Sequence, residues 1–453
     1  MAFSISAENL TGDALTAALH AQVVQLDRPA PYAPLLDLIG GSRFALIGEA
    51  SHGTYEFYQE RAEITKQLIL EKNFDAIVVE ADWPDAYRVN RYVRGNSADR
   101  NADIALSDFK RFPSWMWRNQ VMLDFVNWLR EHNDGQPPQR KVGFYGMDLY
   151  SLFTSINAVL SYLEQVDPAA AARARYRYAC FDHFGESMQA YSYAAAFDLD
   201  KSCEDAVVAQ LVELTKRAAD YDRYTGRDDP DALFHAEQNA ILVKDAEEYY
   251  RTMLHSRVSS WNLRDRHMVQ TLRALDVHLA GTHSLPRIAV WAHNSHLGDA
   301  SATEMGMEHG EWNVGQLMRD HYGNAAALIG FSTYKGTVTA ASEWDGPAEC
   351  MQVRAGLAGS CEALFHSIGH SRFLLRLRGN RELSALLASP RLQRAIGVIY
   401  RPETERRSHY FHMQLAKQFD AMIHIDETTA VAPLEPGAEW TMREAPETYP
   451  SGF

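Results

Sequence analysis

The sequence predicts an α/β fold with a mostly parallel central sheet flanked by helices and a large all-helical insertion. Three observations carry this. Short apolar runs rich in β-branched residues recur at 44–47, 76–79, 142–145, 288–291, 327–331, 373–377, 395–399 and 422–425. Most are too apolar to alternate, which suits strands buried on both faces, and helical patterns separate several of them. From 151 to 279 the period becomes helical throughout, as in Val207, Leu211, Leu214 and Ala218, then Ile241, Ala246, Tyr249 and Met253. The expected division is an α/β core over 1–150, a helical lobe over 151–285 and a second part of the core over 286–453.

The first strand runs into Gly48-Glu-Ala-Ser-His-Gly53, after which Thr54 stands as the N-cap of a helix. Glu49 and His52 therefore sit in a strand-to-helix turn, and loops at the carboxyl ends of parallel strands line the ligand crevice. His52 on such a turn also suits plain packing beside the helix start. Seven residues into that helix comes Arg61, for which a solvated surface position among Glu56, Glu60 and Glu63 is an adequate explanation.

The second run ends in Glu80, a carboxylate where apolar character stops. The third ends in Asp148, expected as a helix cap or a supporting group. The aromatic segment 109–128, with Trp115, Trp117 and Trp128, reads as core packing. Loop signals follow at 134–138 and 224–230. The run at 288–291 leads into Ala-His-Asn-Ser-His-Leu-Gly298, where His293 and His296 share one face of a turn.

Composition narrows the function. The chain has 453 residues, 46% hydrophobic and 23% charged, an ordinary globular usage. Forty-four basic against 59 acidic side chains give a net charge of −15, with no basic stripe to hold phosphates, so nucleic acid is excluded as a partner. Cys180, Cys203, Cys350 and Cys361 form no Cys-x-x-Cys pair and read as buried thiols of a reducing compartment. Glu8 and Asp13 interrupt the start where a secretory leader needs an apolar run, and no stretch of about 18 apolar residues follows. A cytoplasmic protein is expected, with no membrane partner.

Imidazoles and carboxylates at strand ends allow two ways of activating water. Either a histidine takes the proton while a carboxylate fixes its tautomer, or His and Glu together hold a metal. No Gly-x-Ser-x-Gly elbow, phosphate loop or dinucleotide fingerprint accompanies the strands, and the His-Glu-x-x-His zinc helix is missing.

Several motifs taken together resemble the erythromycin esterase family. They are 46–57 (LIGEASHGTYEF), Arg61-Ala-Glu, Val79-Glu-Ala-Asp and Trp291-Ala-His-Asn-Ser-His, then Trp261-Asn-Leu-Arg-Asp-Arg-His-Met268, and Glu405-Arg-Arg-Ser-His-Tyr410 followed by 418–428. The similarity spans roughly residues 40–430, and its specificity lies in the combination. The resemblance implies a carboxylic ester hydrolase without cofactor, acting on a macrolactone-like ester, with His52 as the general base. Glu49, Arg61, Glu80, His293 and His296 fall on the remaining site positions. On that reading Glu49 or Glu80 is expected to orient His52, and Arg61, His293 or His296 to stabilise the oxyanion. The expected partner is a small-molecule ester and the expected state a monomer. Two other readings stay open at this point: a metal-dependent hydrolase built on the same cluster, and a non-catalytic binder of a large apolar ligand such as haem.

Overall fold

A computed structural model describes residues 12–26, 32–184, 188–196, 202–225, 231–281 and 285–435. Its strands are β1 (Val23–Gln25), β2 (Phe44–Ile47), β3 (Ala76–Asp82), β4 (Gly143–Asp148), β5 (Ile288–Trp291), β6 (Ala326–Ala340), β7 (Glu349–Val353), β8 (Arg372–Arg376), β9 (Arg391–Arg394), β10 (Tyr410–Met413) and β11 (Ala421–Thr428). The main sheet has the order β1-β8-β11-β6-β2-β5-β3-β4, with β7 also pairing with β6. Every pair from β11 across to β4 is parallel, whereas β1, β7 and β8 join antiparallel. The mixed edge is ordinary for a large sheet and leaves the central strands mostly parallel.

Continuous apolar runs make sense in this arrangement because each central strand faces a core on both sides. Phe44, Leu46, Val78, Val290 and Leu328 point into one core, while Ala45, Ile47, Val79, Trp291 and Ile329 point into the other. Each large aliphatic side chain buried in this way contributes about 1.5–3 kcal/mol.

The helices used below are α1 (Tyr55–Lys72), α2 (Trp83–Arg94), α3 (Gln120–Asp134), α4 (Leu152–Val166), α5 (Pro168–Tyr178), α6 (Glu204–Thr225), α7 (Ala232–Thr252), α8 (Arg257–Ala280), α9 (Asn294–Leu297) and α10 (Val314–Tyr322). α1, α2 and α3 cover the face of Ile47 and Trp291. Between β4 and β5 the described elements are all helical, as the period predicts, and their apolar faces join the core on the other side of the sheet. Among the described residues no helix is long and apolar enough to cross a membrane.

Some expectations change. Cys180 and Cys203 are joined in a disulfide, with Cα atoms 5.8 Å apart; a 23-residue spacing carries no pairing signal until the helices fold back on each other. Cys350 and Cys361 are free, and only Cys361 is buried. The run at 395–399 is no regular strand: Ile396 bridges Ser51 and Ile399 bridges Ala341, so its backbone bonds go to loops. Thr54 stands at the N-cap of α1 as expected, with its hydroxyl on Ser51 and not on a backbone N–H. Of the loop signal at 224–230, Tyr224 and Thr225 end α6, and 226–230 lie outside the described residues. Trp115 and Trp117 are buried in the core as expected.

Candidate active site

Sheet order brings the three strand ends together. β5 lies between β2 and β3, with Trp291 in register with both Ile47 and Val79, so the residues that follow emerge side by side at one rim. Strands about 4.8 Å apart put such neighbours within side-chain reach.

Local backbone contacts fix the turns. Gly48 donates its N–H to the Ile329 carbonyl at 2.8 Å, and Asn294 donates its own to the Glu49 carbonyl at 2.8 Å. A Cβ at Gly48 would stand 2.2 Å from Asn294 Oδ1, which explains why glycine begins this turn. Gly53 is equally confined, since a Cβ there would lie 1.8 Å from the Thr339 carbonyl oxygen. Ile396 donates to Ala50 at 2.9 Å and accepts from the His52 N–H at 3.3 Å, closing the loop from the far side.

Within this frame His52 Nδ1 lies 2.9 Å from Glu49 Oε1. Arg61 Nη2 forms an ion pair with Glu49 Oε2 at 2.5 Å. Arg61 is not solvated: it is fully buried, and its guanidinium packs over Tyr58 at 4.6 Å and Trp291 at 5.2 Å. A cation so enclosed needs an anion, and Glu49 supplies it. The ionised carboxylate only accepts hydrogen bonds, which puts the His52 proton on Nδ1 and leaves Nε2 as the basic nitrogen.

The second turn is joined to Glu80. His293 donates its backbone N–H to Glu80 Oε2 at 2.8 Å, and the His293 ring centroid is 4.9 Å from that of His52. Ser295 donates its N–H to His293 Nδ1 at 3.2 Å, which places the His293 proton on Nε2. Burial, helped by the neighbouring His52, pushes His293 down to about 3, so it is neutral in the working range.

The His296 ring is held differently. Its Nδ1 is 2.9 Å from Asp265 Oδ1, while Nε2 has Arg264 Nη1 at 3.1 Å and Glu80 Oε1 at 3.4 Å. Burial alone would discharge this ring, but the Asp265 and Glu80 carboxylates outweigh it and raise its pKa above that of a free imidazole. Trp261 stacks on one ring face, 4.5 Å between centroids and 9° from parallel.

Arg264 links the whole cluster. It grips Asp148 with Nε at 2.9 Å and Nη2 at 2.7 Å, and Nη2 also donates to Glu80 Oε1 at 2.8 Å. Burial would raise the Glu80 pKa; His296, His52 and Arg264 together hold it well below the usual carboxylate range. Asp148 is thus no cap of the following helix, which begins after Ser151; its Oδ1 accepts only from the adjacent Leu149 N–H and from Arg264.

All six expected residues, Glu49, His52, Arg61, Glu80, His293 and His296, lie in this one cluster. Arg264 and Asp265 were not read as site residues, although the motif 261–268 contains both. A helix far away in sequence supplies them, and only packing shows where they land. Among the described residues no three histidine, cysteine or carboxylate side chains are arranged to hold a metal ion.

The architecture is therefore a three-layer α/β protein with an imidazole–carboxylate cluster at the carboxyl rim of its parallel strands. The erythromycin esterase model matches residues 69–428, most of the chain, and the chain belongs to that family. Glu80, Arg264, Asp265, His293 and His296 fall inside the matched segment, and the turn holding Glu49 and His52 precedes it. A curated relative, erythromycin esterase type II of Escherichia coli, is 20% identical over 417 residues, covering 88% of this chain and 92% of its own. Similar solved structures include a succinoglycan biosynthesis protein (TM-score 0.74, 19% identity, 94% of this chain and 99% of that one). Another is a mutant of the erythromycin esterase EreC in its open conformation (TM-score 0.65, 16% identity, 90% and 97%). At these identities the structural likeness establishes the fold alone.

Proposed function

We propose that the protein hydrolyses a cyclic or bulky, macrolactone-like ester, acting as a monomer on a small-molecule substrate. One observation carries the reading: His52 is oriented through Nδ1 by Glu49, which is itself held by the buried Arg61. Nε2 then takes a proton from water as the oxygen adds to the ester carbonyl carbon. The resulting oxyanion needs a donor. Arg61, enclosed behind Glu49, is not placed to touch substrate, so the role falls to the Nε2–H of neutral His293. Collapse of the tetrahedral intermediate breaks the carbon–oxygen bond and expels an alkoxide, which takes up a proton to leave as the alcohol. Family membership supports ester hydrolysis as the reaction class, and the names of the relatives suggest macrolides as the first substrates to try.

The test is mass spectrometry of a panel of macrolactones and simple esters incubated with chelator-treated protein. A mass gain of one water that is reduced about 10²–10⁴-fold in His52→Ala, with an unchanged circular dichroism spectrum, is the expected result. Hydrolysis that persists in the folded variant would refute His52 as the base. Hydrolysis that returns only with added zinc or manganese would replace this reading with the metal-dependent one.

A further inference from the structure

We infer that Asp265 is a positioning residue for His296, and that the two form a second imidazole–carboxylate pair serving the departing alkoxide. The inference rests on the ester-hydrolase reading. A hydrolysis needs two opposite proton transfers, one from water and one to the leaving group. His52 accounts for the first. His296 lies three residues after His293 on the same turn, and its ring is the other imidazole of the cluster paired with a carboxylate.

Its surroundings suit a group that gains and loses a proton without moving. In the neutral ring, Nδ1–H donates to Asp265 and Nε2 accepts from Arg264 Nη1 at 3.1 Å. In the charged ring, Nε2–H has Glu80 Oε1 within 3.4 Å. Both partners of Nε2 are already in place. Asp265 fixes the tautomer in either state, so the exchangeable proton is always on Nε2. Asp265 is itself fully buried and held by the Val314 N–H at 2.9 Å, at the first residue of α10. Trp261, one turn before Asp265 on α8, restrains the ring from its face.

The charged and titratable groups facing His296 are Asp265 and Arg264 of α8, Glu80 of β3, Glu311 just ahead of α10, and His293 on its own turn. The carboxylates favour the proton on His296 and Arg264 opposes it. In the step itself the Nε2–H bond breaks as the alkoxide oxygen gains the proton. The ring is left neutral and regains a proton from solvent, while His52 releases to solvent the proton it took from water, so the turnover is balanced.

The experiment is the pH dependence of kcat/KM for whichever ester of the panel is turned over, in intact protein, Asp265→Asn and Asp265→Glu. A general acid must be protonated to act, so activity is lost as pH rises through the His296 pKa. Removing the Asp265 charge lowers that pKa, and the alkaline limb should move to lower pH by at least about one pH unit while the acid limb stays in place. Asp265→Glu should restore the limb. An equal loss at every pH, or no shift of the alkaline limb, would overturn the proposal. Should Asp265→Asn fail to fold, nitrogen NMR of the imidazoles in intact protein decides, with His296 assigned through His296→Gln: a proton on Nδ1 across pH 6–9 is expected, and a bare Nδ1 overturns it. Absence of any ester turnover would remove the leaving-group role together with the hydrolase reading, whereas an unshifted limb in an active esterase removes the Asp265 role alone.

Discussion

Two arginine–carboxylate–imidazole assemblies share this rim, and they are built in opposite ways. Glu49, His52 and Arg61 come from one strand end, one turn and the first helix after it, all within 13 residues of chain. The assembly around His296 draws Glu80 from β3, Asp148 from β4, Arg264 and Asp265 from α8, and an N–H from α10. The local assembly encloses its arginine completely, and the dispersed one leaves Arg264 partly exposed, at 13% of its side chain. The contrast teaches that the same chemical trio can serve as a fixed support or as an adjustable one. A fully enclosed ion pair locks Glu49, whereas Arg264 divides its donors among Asp148, Glu80 and His296.

The enclosed pair should break hardest. Arg61→Met strands a buried carboxylate and should cost about 3–5 kcal/mol in urea unfolding, with much of the loss recovered in the double variant Glu49→Gln/Arg61→Met. A cost within about 0.5 kcal/mol, the value for an ordinary surface position, would mean that Arg61 is solvated after all. Arg264→Met should cost less, roughly 1–3 kcal/mol, because Arg264 itself borders solvent and its removal lets water in beside the buried Glu80 and Asp148. Arg264→Lys keeps the charge and loses the two-pronged grip on Asp148, so it should retain only part of that stability. If Arg264→Met proved costlier than Arg61→Met, the two assemblies would not differ as described.

The last test is read per pH unit and concerns His293. His293 has a folded pKa of about 3, below its unfolded value of about 6.5. Between those limits the unfolded chain binds a proton that the folded chain does not, so stability falls as pH drops, by about 1.4 kcal/mol per pH unit from this group. His235, also pushed down to about 3 by burial, and His409, at about 4, add to the slope in the same sense. Denaturant midpoints between pH 6.5 and 4.5 should show the decline, and His293→Asn should make it shallower by the share of this group. His296, raised instead of lowered, should not contribute to this loss.

The local assembly was legible because chain neighbours stay neighbours. Gly48, Glu49, His52 and Gly53 sit on one strand-to-helix turn, and an apolar run ending in a carboxylate marked Glu80. Arg61 was recognisable only by resemblance. Its own neighbours Glu56, Glu60 and Glu63 argue for a solvated face, yet Glu60 is itself buried with Tyr32 and Arg372 as partners. Charge patterning could not reveal that this side of α1 lies against the sheet.

By itself the sequence determined the layers, the buried parallel strands, the helical stretch between β4 and β5, and the chemical types present at each strand end. These follow from local periodicity, which depends on residues only a few positions apart. Tertiary structure decided that β5 enters between β2 and β3, that Cys180 reaches Cys203, and that α8 delivers Arg264 and Asp265 beside His296. Those contacts join residues far apart along the chain. Packing of apolar faces sets their partners, and no local pattern encodes the distance between two strand ends.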